Sequence, residues 1–148
     1  MMNLSDNGLK LIKEFEGFRT NAYLDTAGVP TIGYGTTVIN GNKVQMGSTI
    51  TESQASDIIR QQIESIFVPA VNRNVKVPLN QNQFDALVSW VYNLGEGNLQ
   101  SSTMLRLLNQ GDYASVPAQM LRWCKDAAGH ESVGLKRRRQ AEGELFAS

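Results

Sequence analysis

Glu16, Asp25 and Thr31 are the residues of this 148-residue chain whose types and spacing could do chemistry together. Two carboxylates in different surroundings are the smallest kit for hydrolysing a glycosidic bond. One must keep its proton in order to donate it to the leaving oxygen, which takes burial or neighbouring negative charge. Glu16 suits that part. It closes a helix in which Leu9, Ile12 and Phe15 recur at helical spacing, lies beside apolar Phe15 and Phe18, and sits where a helix C-terminus disfavours bare negative charge. Asp25, next to the turn Thr26-Ala27-Gly28, suits the ionised part, and with Thr31 it would hold and activate a water. Each residue also has an ordinary reading: Glu16 as a solvated helix residue, Asp25 as a turn former bonding its own backbone, Thr31 as a plain strand residue.

The elements that must position them follow from local pattern. A Ser5-Asp6-Asn7 cluster caps the first helix and Gly17 stops it. From Phe18 to about Thr51, glycines alternate with β-branched residues, which predicts two or three short strands, with a hairpin turn at Asn40-Gly41-Asn42. Thr31 opens a strand, and alternation puts Thr31, Gly33 and Gly35 on one face with almost no side-chain bulk, suited to close approach by a flat, hydroxyl-rich ligand. Thr51 with Gln54, and Asn80 with Gln83, are capping boxes that open two helices. The first runs through Ile58, Ile59, Ile63, Ile66 and Phe67 until Pro69 bends or ends it. The second carries Phe84, Leu87, Val88 and Val91 to a stop at Gly95. Further helices fit Ser102 to Asn109, Ala114 to Lys125 and Leu135 to Phe146. The fold class is α+β: one domain spanning 1–148, with an N-terminal helix and β-containing lobe over about 1–50, a helical lobe over about 52–148, and a cleft between them.

Composition narrows the function classes. Fourteen Lys and Arg balance fourteen Asp and Glu, which argues against a protein built to coat nucleic acid. The run Lys136-Arg137-Arg138-Arg139 shares its helix with Glu142 and Glu144 and reads as a solvated face. One cysteine, Cys124, excludes an intrachain disulfide and reads as a core thiol; one histidine, His130, excludes a multi-histidine metal site and reads as a solvated loop residue. Trp90 and Trp123 read as core. No apolar run is long enough for a membrane span, and the first residues lack the pattern of a signal peptide. No metal and no cofactor is expected.

Glu16-Gly17, Ala22-Tyr23-Leu24-Asp25 and Gly28-Val29-Pro30-Thr31-Ile32-Gly33-Tyr34-Gly35 together resemble the phage-type lysozymes, glycoside hydrolase family 24. The resemblance continues through Gln83 to Ser89, Tyr92 to Gly95, Ser102 to Arg106, Gly111 to Tyr113, Arg122-Trp123, Gly134-Leu135, Arg138-Arg139 and Glu142. It implies a lysozyme-like fold and an endolysin that hydrolyses β-1,4 bonds between N-acetylmuramic acid and N-acetylglucosamine in peptidoglycan, with inversion. Glu16 matches the general acid, Asp25 the second catalytic carboxylate, and Thr31 the threonine that positions the attacking water. Gly35 and Tyr92 match positions that line the sugar cleft, and one of the arginines at 137–139 would steady Glu16. Thr36 stands where the family often has histidine, and 126–133 fits the pattern only loosely. The same resemblance implies a monomer that accumulates in the host cytoplasm and reaches the periplasm and cell wall through a membrane lesion made by a phage holin. Two alternatives remain at this point. A lytic transglycosylase needs one acid and no positioned water, and a non-catalytic module would bind peptidoglycan without cutting it.

Overall fold

The computed structural model describes residues 1–148, which divide into two compact units. One comprises Lys10–Ile63; the other joins Met1–Leu9 to Glu64–Ser148. The smaller unit thus includes the helix that follows Thr51 as well as the strands.

Helix α1 (Asp6–Glu16) starts in the larger unit and ends in the smaller. The smaller unit then holds β1 (Arg19–Leu24) paired antiparallel with β2 (Pro30–Gly33), β3 (Val38–Ile39) paired with β4 (Asn42–Lys43), and α2 (Glu52–Gln62). Four strands, the last two of only two residues each, replace the two or three expected. The second hairpin turns on Asn40 and Gly41, both at positive φ, the conformation that two-residue hairpin loops demand. Thr51 and Gln54 form the full capping box at α2. Ile12, Ile32, Tyr34, Val44, Ile50, Ala55, Ile59 and Ile63 make the core of this unit.

The expected open face on β2 is not formed. Gly33 has φ +65, so the strand ends there, and the bridge between Ile32 and Thr36 closes a tight turn over Gly33-Tyr34-Gly35. A Cβ on Gly33 would lie 2.9 Å from the Ala55 Cβ. Its missing side chain serves helix packing, not a ligand.

A π-helical turn at Ile63–Phe67, whose first residue is the last of the smaller unit, precedes α3 (Val68–Asn74) in the larger. Pro69 has no N–H to complete the upstream ladder, and the widened turn accommodates that loss. Helices α4 (Gln81–Leu94), α5 (Glu96–Ser101), α6 (Thr103–Asn109), α7 (Val116–Leu121) and α8 (Val133–Ala147) follow. Sequence pattern does not anticipate α5, and α7 is shorter than the helix expected over 114–125. Helix α4, opened by the Asn80–Gln83 capping box, is buried from Phe84 to Val91 and packs against α8. No helix of the chain is long and apolar enough to cross a membrane.

Burial reverses two expectations for the C-terminal helix and its approach. Lys136 and Arg137 are exposed, but Arg138 and Arg139 are buried with Glu142, so the basic run is not one solvated face. Glu142 accepts the Ser89 hydroxyl at 2.6 Å and Arg138 Nε at 3.3 Å on one oxygen, and Arg139 on the other. Arg139 also donates to the Trp123 carbonyl at 3.0 Å and to Asn93. Burial pushes the Arg139 guanidinium below its usual range, and the Glu142 charge opposes that shift. Cys124 and Trp123 are half-buried rather than core, Trp123 packing edge-to-face on fully buried Trp90 at 5.3 Å; His130 is exposed.

Removing one member of a buried charge cluster strands the others. Glu142→Ala is therefore expected to lose about 3–5 kcal/mol in urea unfolding. A loss below about 1 kcal/mol, the range of an exposed pair, would show that the cluster does not hold α8 to α4.

Candidate functional site

Asp25 opens the β1–β2 loop and Thr31 lies just past it in β2, and the peptide of Val29 joins them. The Ala27 and Val29 N–H groups both donate to Asp25 Oδ1, each at 2.9 Å. The Val29 carbonyl accepts Asp25 N–H at 3.0 Å and the Thr31 hydroxyl at 2.9 Å. The turn-forming reading of Asp25 is thus realised, on one of its two oxygens. Thr31, 4% exposed, spends its only hydroxyl proton on Val29, so its oxygen has only acceptor capacity left for a ligand. Cross-strand pairing of Tyr23 with Thr31 and of Leu24 with Pro30 sets the register that brings these groups together.

Glu16 is the last residue of α1 and is half-buried. Phe15, its neighbour in sequence, is 36% exposed. Gly35, exposed at φ +87, comes against the acid: a Cβ there would lie 3.6 Å from Glu16 Oε1. That is ordinary van der Waals contact, but the positive φ strains any residue other than glycine there. Tyr92 lies on α4, in the other unit, packed edge-to-face on Phe67 at 5.1 Å. Thr36 is buried, its N–H and carbonyl both paired with Ile32.

Sequence reasoning missed two features. The polar side chains of Lys13, Tyr34 and Glu52 meet behind the Gly33–Gly35 turn: Tyr34 donates to Glu52 at 2.6 Å, and Lys13 approaches the same oxygen at 2.8 Å. Burial first, and then the Glu52 hydrogen bond and charge, push the Tyr34 hydroxyl up to about 12. The second feature had a visible signal. Asp126-Ala127-Ala128-Gly129-His130 repeats the spacing of Asp25-Thr26-Ala27-Gly28-Val29, and the loop repeats the geometry. Asp126 Oδ1 accepts Ala128 and His130 N–H at 3.0 Å, and Asp126 N–H donates to the His130 carbonyl at 2.8 Å. The turn is therefore a self-contained device, and what distinguishes Asp25 is the threonine two residues past its loop.

A family model described as phage lysozyme matches residues 13–142. The endolysin of Acyrthosiphon pisum secondary endosymbiont phage 1 is 41% identical over 150 residues, covering 99% of each chain. The endolysin of Salmonella phage P22 is 41% identical over 149 residues, covering 100% of both. Among solved structures, the endolysin from Escherichia coli O157:H7 phage FAHEc1 is similar at a TM-score of 0.92 and 45% identity, over 98% of this chain and 93% of that one.

Asparagine keeps the oxygen that holds the turn and removes the charge. Asp25→Asn and Asp126→Asn are expected to unfold within about 0.5 kcal/mol of wild type, while each alanine variant loses about 1–2 kcal/mol with its two N–H partners unpaired. Denaturant melts of the four variants check this. An Asp25→Asn chain as unstable as Asp25→Ala would mean that the turn needs the charge.

Proposed function

This chain belongs to the phage lysozyme family and degrades peptidoglycan as a muramidase, and we propose that it cuts the β-1,4 bond between N-acetylmuramic acid and N-acetylglucosamine with inversion. Glu16 is the general acid, Asp25 the second carboxylate, and Thr31 the residue that holds the water. The observation that carries the reading is the shared Val29 peptide, because it dictates which atoms remain for the reaction. Asp25 Oδ1 is committed to two backbone N–H groups and the Thr31 proton to a carbonyl. A water between them donates one O–H to Thr31 Oγ1 and the other to Asp25 Oδ2. Both of its hydrogens are then held, and a lone pair turns toward the anomeric carbon. As the C–O bond to the leaving sugar breaks, Glu16 gives its proton to the departing oxygen. Water forms the new C–O bond from the opposite face and passes a proton to Asp25.

Glycine at 35 keeps side-chain bulk away from the acid, and the reading assigns Gly35 and Tyr92 to contacts with the sugars. It also keeps the itinerary expected from resemblance. The chain acts as a monomer, accumulates in the host cytoplasm and reaches the periplasm and wall through a lesion made by a holin.

Sugar release from purified peptidoglycan tests the assignment. Glu16→Gln is expected to lose at least about 10²-fold with an unchanged melting profile, the scale of a removed general acid. Thr31→Val is expected to lose activity comparably yet fold, since Asp25 N–H still satisfies the Val29 carbonyl; Thr31→Ser keeps the hydroxyl and the activity. Near wild-type release by Glu16→Gln would overturn the mechanism.

A further inference from the structure

Three polar side chains tie the end of α1 and the start of α2 to the turn that faces Glu16. Glu52, the first residue of α2, takes the Tyr34 hydroxyl and the Lys13 ammonium on the same oxygen, Oε2. Lys13 also donates to Ser56 Oγ at 3.0 Å and stands 5.3 Å from the centre of the Tyr34 ring, whose other neighbour is Phe18 at 5.3 Å. As a stability device this arrangement is weak. The Glu52 side chain is 52% exposed, and ion pairs in such settings contribute little.

Its placement says more. Lys13 lies about one helical turn before Glu16 on the same helix. Tyr34 sits between the glycine packed on Ala55 and the glycine whose absent Cβ would meet Glu16 Oε1. The triad therefore holds the acid's helix and the acid's facing turn to one common point. The Tyr34 hydroxyl, raised to about 12, stays a donor across neutral and mildly alkaline pH. Lys13 first, and then Tyr34, hydrogen-bond to Glu52 and hold its carboxyl below the usual range, so the acceptor stays ionised from mildly acidic pH upward.

We infer that Lys13, Glu52 and Tyr34 are positioning residues for Glu16, fixing the Gly33–Gly35 turn at the distance that leaves the acid's carboxyl aimed at the leaving oxygen. The inference rests on the assignment of Glu16 as general acid. None of the three touches substrate; they act through the turn.

The test is steady-state kinetics of the full chain on soluble peptidoglycan fragments, with thermal melting alongside, for Tyr34→Phe, Glu52→Ala and Glu52→Gln. Misplacing a reacting group by about 1 Å costs up to about 10²-fold, so Tyr34→Phe and Glu52→Ala are expected to lower kcat about 10-fold with KM within about two-fold. Glu52→Gln keeps an oxygen for the Tyr34 hydroxyl and recovers most of that loss. A wild-type kcat in folded Tyr34→Phe overturns the inference whatever the melting temperature does. So does a loss confined to KM, or a loss that Glu52→Gln fails to restore. Glu16→Gln, run in parallel, separates the two assignments. If it stays active, the general-acid reading fails and this inference with it. If it is inactive while the triad variants match wild type, only the triad inference fails.

Discussion

Two backbone N–H groups, those of Ala27 and Val29, converge on one oxygen of Asp25, and the site in this unit depends on that convergence. It closes the β1–β2 loop and, through the Val29 carbonyl, sets the hydroxyl of Thr31. It also divides the carboxylate: Oδ1 builds the turn, and Oδ2 is the oxygen that the proposed mechanism assigns to the water. The side chain is therefore a scaffold in its own right, whatever further part the proposed mechanism gives it. The matching loop at Asp126 carries the same scaffold half without a threonine in the corresponding place; Ser132 stands there and caps α8 instead.

The two units use polar groups differently. In the smaller one, the Lys13–Glu52–Tyr34 triad is partly exposed, and its value lies in geometry rather than free energy. In the larger one, Glu142 is wholly buried between two guanidinium groups and the Ser89 hydroxyl. There the desolvation cost is large, and only complete pairing makes the cluster tolerable. The same reasoning accounts for Asp85 on α4, fully buried yet held by Ser5 N–H at 3.1 Å, the Ser5 hydroxyl and Gln81 at 2.9 Å. Gly8 must be glycine beside it, since a Cβ would come within 2.6 Å of the Asp85 carboxyl carbon.

What was legible in the sequence was mostly what is local. Both capping boxes span three residues and can be read directly, as can the Asn40-Gly41 turn and the breaker at Pro69. The candidate catalytic residues stand out in the sequence because their types suit one chemistry and their motif resembles a family's; what the structure adds is the hydrogen bonding of Asp25 and Thr31 through Val29. What escaped depends on partners far along the chain. Strand alternation failed at Gly33 because its backbone turns to meet Ala55, 22 residues later. Arg138 and Arg139 looked solvated because Ser89, Asn93 and the Trp123 carbonyl, which bury and pair them, are remote in sequence. The triad was invisible for the same reason: Tyr34 and Glu52 are brought together by the turn and the start of α2, not by spacing.

The stereochemistry of the product tests the central claim most directly, since it reports whether a held water attacks from the face opposite the leaving group. Nuclear magnetic resonance of the anomeric protons, recorded as soluble peptidoglycan fragments are first cut, reads it before mutarotation intervenes. The account predicts N-acetylmuramic acid released as the α-anomer, from a β-linked substrate. Initial release of the β-anomer, or of 1,6-anhydro-muramic acid with no reducing end, would contradict the roles given to Asp25 and Thr31.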